Sequence, residues 1–324
     1  MPNSIYTIST PEHFKDCALQ LFRYQFDNNP VYRSFCDLLY VHPSDVRSVF
    51  QIPFLPIEFF KSHAVHTQKE NPSLFFTSSG TSQSKVSKHY VVNINEYIRS
   101  FTKGFSIAYG DIKEYAILAL LPNYLERTGS SLVYMVDYLI KQTNNEHSEF
   151  YLHDHFALSE KIKQLESLGQ KTLLLGVSFA LLDFLEKYSF NLSHTIVMET
   201  GGMKGQRKEL VREELHHILK RGFGVPHIHS EYGMTELFSQ AYSKGEGKFV
   251  PPPWMKVIVR DPEDPFSILP HNKTGGLSII DLANKNSCPF IATKDLGKIY
   301  EDGSFEVAGR FDNSDIRGCN LMVL

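Results

Sequence analysis

Three short runs of small, hydroxyl and acidic residues have the composition of a nucleotide site. The first reads TSSGTS over residues 77–82, directly after the strand-like SLFF, and Lys85 and Lys88 follow it. Hydroxyl residues around a glycine leave N–H and O–H groups free to bind phosphate oxygens, and a nearby lysine adds positive charge. An ordinary surface turn is the alternative, and the spacing of a Walker loop is absent. The candidate phosphate ligands are Ser78, Ser79, Gly80, Thr81, Ser82 and Lys85.

The second run is SEYGMTE over residues 230–236, after a short apolar segment. Gly233 permits a tight turn at the exit of a strand. Beside that turn, Tyr232 can stack on a flat base, Thr235 can donate to a phosphate, and Glu236 can hold Mg²⁺ through oxygen. The same letters also fit the capped start of a helix. Both interpretations stay open from the sequence.

The third run is TKDLG over residues 293–297, with GRFD at residues 309–312. An ionised carboxylate accepts two hydrogen bonds, so Asp295 has the chemistry to bind the two hydroxyls of a ribose. The plain alternative is an aspartate in a β-turn.

Two histidines form a further candidate. His227 and His229 lie on one face of an expected strand, and Glu231 has the same parity. This pattern permits a metal site, but we expect these histidines to line the sheet beside the nucleotide. A Ser-His-Asp hydrolase is not indicated, because the GxSxG elbow is absent.

Alternating patterns predict the elements that position these runs. Residues 9–50 look helical, with Ser9 or Thr10 as cap and Pro11 in the first turn, and the Pro-broken residues 51–60 indicate a buried extended connection. Apolar runs predict strands at 73–77, 115–121, 172–177 and 194–198, separated by helical patterns at 93–109, 128–141, 158–168, 178–188 and 205–221. Strands alternating with helices indicate an α/β domain with a largely parallel sheet. Turn residues between short strands at 249–311 predict antiparallel β structure, and no linker divides the chain.

Composition excludes several classes of function. The 324 residues carry 33 Lys and Arg against 36 Asp and Glu, so the basic footprint of a nucleic-acid binder is absent. No apolar run reaches the ~18 residues that span a bilayer, and residues 1–14 lack the pattern of a signal peptide. The four cysteines form no CxxC pair, which disfavours a disulfide scaffold. We therefore expect a cytoplasmic enzyme without nucleic-acid partner or transmembrane segment.

In this order, the three runs resemble the core motifs of the adenylate-forming superfamily, from about residue 75 to residue 317. Within that superfamily the chain most resembles the acyl-protein synthetases of the bacterial luminescence fatty-acid reductase complex. The distinctive stretches are LPNYLER at 121–127, TGGMKG at 200–205, DLAN at 281–284 and DIRGCN at 315–320. The resemblance implies the large N-terminal domain of an adenylate-forming enzyme, with layered α/β sheets and a small antiparallel β region.

The resemblance also implies a role for each motif. The serine-rich loop would cradle the phosphates of ATP, Thr235 would contact the α-phosphate, and Glu236 would place Mg²⁺. Gly201 and Gly202 would let the adenine approach, with Tyr232 against its face and Gly233 next to it. Asp295 would bind the ribose hydroxyls, with Arg310 beside it. The implied reaction activates a carboxylic acid, usually a fatty acid in this family, to an acyl-adenylate.

The end of the chain departs from ordinary acid ligases. Gln83 replaces a usual glycine, the segment after Gly309 is one residue short, and the small C-terminal domain with its adenylation lysine is expected to be absent. We predict an adenylation domain over residues 1–308 and a hinge-like tail over 309–324. By the resemblance, Cys319 in that tail would accept the acyl group as a thioester, with Arg317 nearby to lower its pKa. An acyl reductase or an acyl-carrier protein would then receive it.

Two other functions remain open. One is an acid–CoA or acid–carrier-protein ligase that borrows the missing domain from a partner. The other is a degenerate nucleotide- or acyl-binding subunit without activity. The sequence does not fix the chain length of the acid, and an aryl or short acid fits equally well.

Overall fold

The computed structural model describes residues 5–68, 71–78, 86–121, 129–201 and 210–310. The helices are α1 (Pro11–Asn28), α2 (Pro30–Leu38), α3 (Phe59–Ser62), α4 (Ile94–Tyr109), α5 (Ser131–Thr143), α6 (His155–Ser167), α7 (Ser178–Leu185) and α8 (Arg212–Phe223). The first seven strands are β1 (Leu55–Pro56), β2 (Leu74–Thr77), β3 (Lys88–Val91), β4 (Ala116–Leu120), β5 (Glu149–Tyr151), β6 (Thr172–Val177) and β7 (Thr195–Thr200). The others are β8 (His229–Tyr232), β9 (Ala241–Ser243), β10 (Met255–Arg260), β11 (Gly275–Asp281), β12 (Phe290–Ile299) and β13 (Phe305–Arg310).

Packing divides these residues into two compact units. Unit 1 takes the described residues up to Asn71 and those from Pro253 onward, and unit 2 takes Pro72 to Pro252. The predicted adenylation domain over residues 1–308 contains both units except for residues 309–310, which end β13 in unit 1. The predicted boundary at residue 309 stays a prediction, because residues 311–324 lie outside the described residues.

Unit 2 is built on a sheet with the order β5-β4-β6-β7-β8-β9. All its pairings are parallel except that of β9 with β8. Every residue of β4 and β6 is buried, as expected for parallel strands covered on both faces. The strand and helix patterns predicted between residues 73 and 221 are confirmed, although α8 begins later than predicted. Ligands of such sheets bind beyond the carboxyl ends of the strands, where residues 200–201 and 232–236 lie.

Unit 1 combines the first two helices with antiparallel β structure. Its sheet has the order β1-β12-β11-β10 with β13 beside β12, and only the β1–β12 pairing is parallel. Thr10 caps α1 by accepting from the His13 N–H at 3.2 Å, and Pro11 occupies the first turn as predicted. The rings of Phe22, Tyr32 and Phe290 pack together in the core, with Phe22 and Tyr32 centred 6.1 Å apart.

A helix suited to cross a bilayer, long and apolar enough, is not found in the part of the chain that the structure describes.

Candidate active site

The candidate phosphate loop is closed at its base by the β2–β3 hairpin. The two strands pair antiparallel, with Thr77 opposite Lys88. Next to that pair, Ser78 Oγ accepts from the Ser87 N–H at 3.0 Å, and the Ser78 N–H donates to the Ser87 carbonyl at 3.1 Å. Ser78 therefore has a role in closing the loop besides its predicted contact with phosphate. The other predicted ligands lie outside the described residues, and their roles stay predictions: Ser79, Gly80, Thr81, Ser82 and Lys85.

The second candidate run leaves a strand and does not begin a helix. Tyr232 is the last residue of β8, and residues 235–236 form a turn. Gly233 lies between them, and a Cβ at this position would meet Glu231 Oε1, so a larger residue here would have to displace the Glu231 side chain. The strand-exit interpretation is confirmed, and the helix-cap interpretation is wrong. We call residues 233–238 the acidic loop; its Glu236 is 4% exposed.

A histidine that the sequence analysis missed ties the acidic loop to the hairpin. His89 lies on β3 and is fully buried. Its Nδ1 lies 2.6 Å from the carbonyl oxygen of Thr235, and this nitrogen must carry the proton because a carbonyl only accepts. The ring also packs against Phe238 at 5.0 Å. A histidine inside a strand gives no sequence signal of a partner 146 residues away.

The carboxyl ends of β7 and β8 are joined by a buried carboxylate. Glu231 is 9% exposed, and its Oε2 accepts from the hydroxyl of Thr200, the last residue of β7. Burial raises the pKa of Tyr97 and Tyr242 well above the ordinary value, and the charge of Glu231 raises both further. These tyrosines therefore stay protonated.

The predicted adenine loop starts next to a second buried carboxylate. Gly201 has a left-handed φ of 64°, which favours glycine, and its carbonyl accepts from Ser178 Oγ at 2.8 Å. Glu199 Oε1 accepts from Arg212 Nη1 at 2.8 Å. Burial raises the pKa of Glu199, but the hydrogen bond to His216 and the charge of Arg212 outweigh it and bring this pKa below its ordinary value. This ion pair fixes the exit of β7; Gly202 lies outside the described residues.

Of the two histidines, His229 lies on β8, whereas His227 precedes that strand and is exposed, so the expectation that they share one face of a strand is wrong. Their position beside the nucleotide stays a prediction. His229 Nδ1 lies 3.1 Å from the Tyr109 hydroxyl. Burial, with the charges of Lys244 and His227, lowers the pKa of His229 to about 4, so it is neutral at pH 7. A group of three or more side chains able to hold a metal ion is absent from the residues that the structure describes.

The third candidate residue lies in an irregular strand, so the alternative of an aspartate in a β-turn is wrong. Between the pairs Gly276–Leu296 and Ser278–Ala292, residues 293–295 of β12 face a single residue of β11. The register shifts again on the other side of β12, next to Leu296. Bulges are frequent beside active sites, where they redirect a side chain. Here the bulge carries Asp295, which is 8% exposed.

Two arginines flank the Asp295 bulge. Arg310 lies opposite Asp295 on β13, and its Nε is 3.4 Å from Asp295 Oδ1. The Arg310 side chain is 68% exposed, so this pair contributes little to stability. Arg260 is 7% exposed and donates from Nη1 to the Leu277 carbonyl at 2.6 Å and from Nη2 to the Thr293 carbonyl at 2.5 Å. The sequence analysis missed Arg260, since nothing in the letters MKVIVR distinguishes an inward arginine from an exposed one.

An open groove of about 470 Å³ lies in unit 2 between α4 and the segment after the acidic loop. Its wall on α4 consists of Gly104, Ile107 and Ala108, and its opposite wall combines Gln240, Val250, Pro251 and Pro252 with the charged residues Lys244, Glu246 and Lys248. We call it the apolar groove. A Cβ on Gly104 would meet nothing within 4 Å, so the groove is open at this position.

Comparison with known proteins shows the family of the chain. A family model described as "Acyl-protein synthetase, LuxE" matches residues 9–324. The chain belongs to the acyl-protein synthetase family. A relative in this comparison is the long-chain-fatty-acid–luciferin-component ligase of Vibrio harveyi. It is 25% identical over 322 residues, which cover 93% of this chain and 84% of the relative.

Solved structures of low identity share the fold of this acyl-protein synthetase. ATP-bound MatB from Rhodopseudomonas palustris matches with a TM-score of 0.53 and 18% identity, over 74% of this chain. The open conformation of 2-hydroxyisobutyryl-CoA ligase, in complex with 2-HIB-AMP and CoA, matches with a TM-score of 0.68 and 12% identity, over 97% of this chain and 74% of that one. The chain spans about half of the MatB structure, 48% of its length. The fold is that of adenylate-forming ligases.

These matches confirm three predictions: the family, the fold class and the enzyme class, which is an ATP-dependent acid ligase. The candidate residues of this acyl-protein synthetase divide between its units. Unit 2 contains Ser78, Gly201, Tyr232, Gly233, Thr235 and Glu236. Unit 1 contains Asp295 and Arg310. The ring of Tyr232 packs 5.8 Å from that of Phe249, and the contact of Tyr232 with adenine stays a prediction. The role of Cys319 also stays a prediction, because this residue lies outside the described residues.

Proposed function

We propose that this chain uses ATP to convert a carboxylic acid to an acyl-adenylate and then transfers the acyl group to a thiol, with Cys319 as the first acceptor. One observation carries the proposal beyond family membership. β3, which supports the phosphate loop, also supplies the His89 side chain that binds the Thr235 carbonyl. A hydrogen bond from a buried side chain therefore links the acidic loop to the hairpin of the phosphate loop, as binding of one triphosphate by both requires.

In the first step, a carboxylate oxygen attacks the α-phosphorus of ATP. The bond from that phosphorus to the bridging oxygen breaks, and pyrophosphate leaves with the electron pair. The chain must hold two anions together and neutralise them. Thr235 donates its hydroxyl to an α-phosphate oxygen, and Ser78 and its loop hold the other phosphates.

Glu236 fits the requirements of Mg²⁺. Mg²⁺ is commonly held by one or two carboxylates, with phosphate oxygens and water as its other ligands. Glu236 supplies one carboxylate at 4% exposure, next to Thr235. When bound, Mg²⁺ supplies positive charge that stabilises the phosphates during transfer.

In the second step, the thiolate of Cys319 attacks the acyl carbon of the adenylate. The C–S bond forms, the C–O bond to the phosphate breaks, AMP leaves, and the thiol proton passes to solvent. Family membership and the neighbouring Arg317, which favours the thiolate, support this step. An acyl reductase or acyl-carrier protein then takes the acyl group, and we place the reaction in the cytoplasm.

The acid that fits unit 2 best has an apolar chain. The apolar groove reaches Gln240, whose Cγ would lie 3.4 Å from a Cβ on Gly233 in the acidic loop. A chain that extends from the acidic loop past Gln240 therefore enters a groove walled by Ile107 and Val250. Burial of methylene groups there contributes about 0.8 kcal/mol each, which favours a fatty acid over a short one.

Intact-mass measurement tests the thiol acceptor. After incubation with tetradecanoic acid, ATP and Mg²⁺, we expect one added acyl group on the wild-type chain. Cys319→Ala should lose this addition and retain acid-dependent pyrophosphate release. Cys17→Ala is the matched control, because Cys17 is 3% exposed and burial raises its pKa, so this thiol is unreactive.

The rival functions give different results in the same experiment. Pyrophosphate release that needs CoA or a carrier protein, without acylation of the chain, would support the acid–CoA or acid–carrier ligase. The absence of acid-dependent pyrophosphate release would support the inactive binding subunit.

Substitution of Gly104 tests the groove. Gly104→Leu fills open space and removes a helix-interior glycine, so we expect a stable chain. Its preference should shift at least fivefold from tetradecanoic to octanoic acid, with Gly104→Ala as the control close to wild type. An unchanged preference with a stable Gly104→Leu chain would place the acyl chain elsewhere.

A further inference from the structure

The bulge that carries Asp295 has an internal support. Residues 293–295 depart from the regular β11–β12 ladder, and such a departure leaves local carbonyl groups without their ladder partners. The guanidinium of Arg260 binds one carbonyl on each side: Leu277 on β11 at 2.6 Å and Thr293 on β12 at 2.5 Å. Its Nη1 also lies 3.3 Å from Ser278 Oγ.

The Arg260 guanidinium packs closely against β11. A Cβ on Gly276 would lie 2.8 Å from the Arg260 Cζ, so the guanidinium lies directly against the backbone of β11. Burial lowers the pKa of Arg260, and the charges of Glu58 and Asp295 partly offset this effect. Because the planar guanidinium presents several N–H groups in a fixed geometry, it binds both carbonyls at once, which a lysine ammonium does not reproduce.

Thr293 provides a second support on the same bulge. Its hydroxyl donates to the Leu277 carbonyl at 2.8 Å and accepts from the Asp295 N–H at 3.1 Å. The main chain of Asp295 is therefore fixed through Thr293, and Thr293 is fixed through Arg260.

We propose that Arg260 is a positioning residue: by holding the bulge of β12, it sets the carboxylate of Asp295 for recognition of the ribose hydroxyls of ATP. Arg260 does not touch the nucleotide. This inference rests on the proposed function, in which Asp295 binds those hydroxyls. Its consequence is that selectivity for the ribose depends on a side chain buried beneath the sheet surface.

The test compares the affinities of the full chain for ATP, 2′-deoxyATP and 3′-deoxyATP by calorimetry. A hydrogen bond to a charged group changes affinity by about tenfold or more, so the wild-type chain should prefer ATP by about that factor. Asp295→Asn should remove most of this preference. Arg260→Lys should reduce it at least threefold, and the double variant should show no further loss.

Thr293→Val tests the same bulge without altering a buried charged residue, and it covers the case in which Arg260→Lys does not fold. It should also reduce the preference for ATP at least threefold. Lys298→Met is the matched control, because Lys298 lies on β12 beyond the bulge and binds Glu306. Its selectivity should equal that of the wild-type chain, and thermal unfolding of each variant separates loss of selectivity from loss of fold.

Two results would overturn the inference in distinguishable ways. If Asp295→Asn loses selectivity while folded Arg260→Lys and Thr293→Val keep it, Asp295 binds the ribose and Arg260 does not position it. If Asp295→Asn itself keeps wild-type selectivity, the ribose contact of the proposed function is wrong, and the role of Arg260 fails with it.

Discussion

The two candidate acidic residues are fixed by different means. In unit 1, Asp295 belongs to a strand that pairs on both sides, and Arg260 and Thr293 bind the main chain around it. In unit 2, Glu236 lies on the loop that follows β8. Side chains from other elements bind this segment: His89 binds the Thr235 carbonyl, and the Oγ atoms of Ser100 and Ser239 lie 2.9 Å apart.

Because of this difference, we expect substitutions near Asp295 to lower the free energy of unfolding and substitutions in the acidic loop to lower the reaction rate. A residue within a ladder shares its hydrogen bonds with the core, so disturbance there lowers the free energy of unfolding. A loop shares fewer of them, so disturbance there changes the geometry of the reacting groups more than the fold. We therefore expect the same kind of substitution to damage the two units differently.

The largest effect is expected at Glu236. Glu236→Gln removes the carboxylate that we assign to Mg²⁺, and loss of such charge stabilisation costs several kcal/mol in the transition state. Acid-dependent ATP–pyrophosphate exchange should fall 100-fold or more, with little change in the melting temperature. Glu214→Gln, on the exposed side of α8, is the control. A decrease below tenfold would remove Glu236 from the reaction.

Two glycine substitutions sharpen the comparison directly. In Gly297→Ala the new Cβ would lie 2.0 Å from the Glu306 carbonyl oxygen. The clash is with the main chain of the neighbouring strand in unit 1, which cannot move aside as a side chain can. We expect a loss of about 1–3 kcal/mol in urea unfolding. In Gly233→Ala the clash is with the Glu231 side chain, which can move. That variant should unfold near the wild-type midpoint but lose kcat, and the opposite pattern would contradict the distinction.

His89 tests the side-chain support of the acidic loop. His89→Phe keeps a ring against Phe238 but leaves the Thr235 carbonyl without its donor, at a cost of about 1–3 kcal/mol. Pyrophosphate exchange should fall about tenfold in kcat. His89→Gln restores an N–H donor and should recover part of the rate. Equal rates for the Phe and Gln variants would show that the hydrogen bond does not position Thr235.

The smallest effect is a difference in acid sensitivity. The pKa of His229 in unit 2 is lowered to about 4 by burial, Lys244 and His227, against about 6.5 in an unfolded chain. Between these values the unfolded chain binds a proton that the folded chain does not, so stability falls as the pH falls through this range. His229→Gln should flatten this dependence, whereas His217→Gln, an exposed control on α8, should not.

Fluorescence can assign that acid effect to a unit. Trp254 is the single tryptophan, and it lies in unit 1. The effect of His229→Gln should therefore be larger in unfolding followed by circular dichroism than in unfolding followed by fluorescence. An equal change in both signals would mean that the units unfold together.

The sequence predicts best what depends on neighbouring residues. TLLLGV at 172–177 coincides with β6, because a buried parallel strand is a continuous apolar run. Thr10 and Pro11 mark the start of α1 for an equally local reason. Residues with functional side chains, such as the carboxylates of Glu236 and Asp295, can also be recognised because they belong to sequence motifs.

The supports of the site are not predictable from the sequence, because they depend on distant residues. His89 meets Thr235 across 146 positions, and Arg260 meets Thr293 across 33. The bulge at Asp295 gives no local signal either, since TKDLG reads as a turn when its neighbouring strands are unknown. Periodicity shows which residues form a strand but not where its register shifts.

Unit 1 is assembled from two separate stretches of the chain, and this affects how it folds during synthesis on the ribosome. Gln25 Nε2 donates to the Lys285 carbonyl at 2.6 Å, 260 positions away, and Asn29 Nδ2 donates to the Ser287 carbonyl at 3.0 Å. At about 5–20 residues per second, α1 and α2 wait on the order of 10 to 50 s for these partners. During that time the apolar faces of the two helices are open to chaperones or to other nascent chains, while unit 2, which is continuous, can already fold.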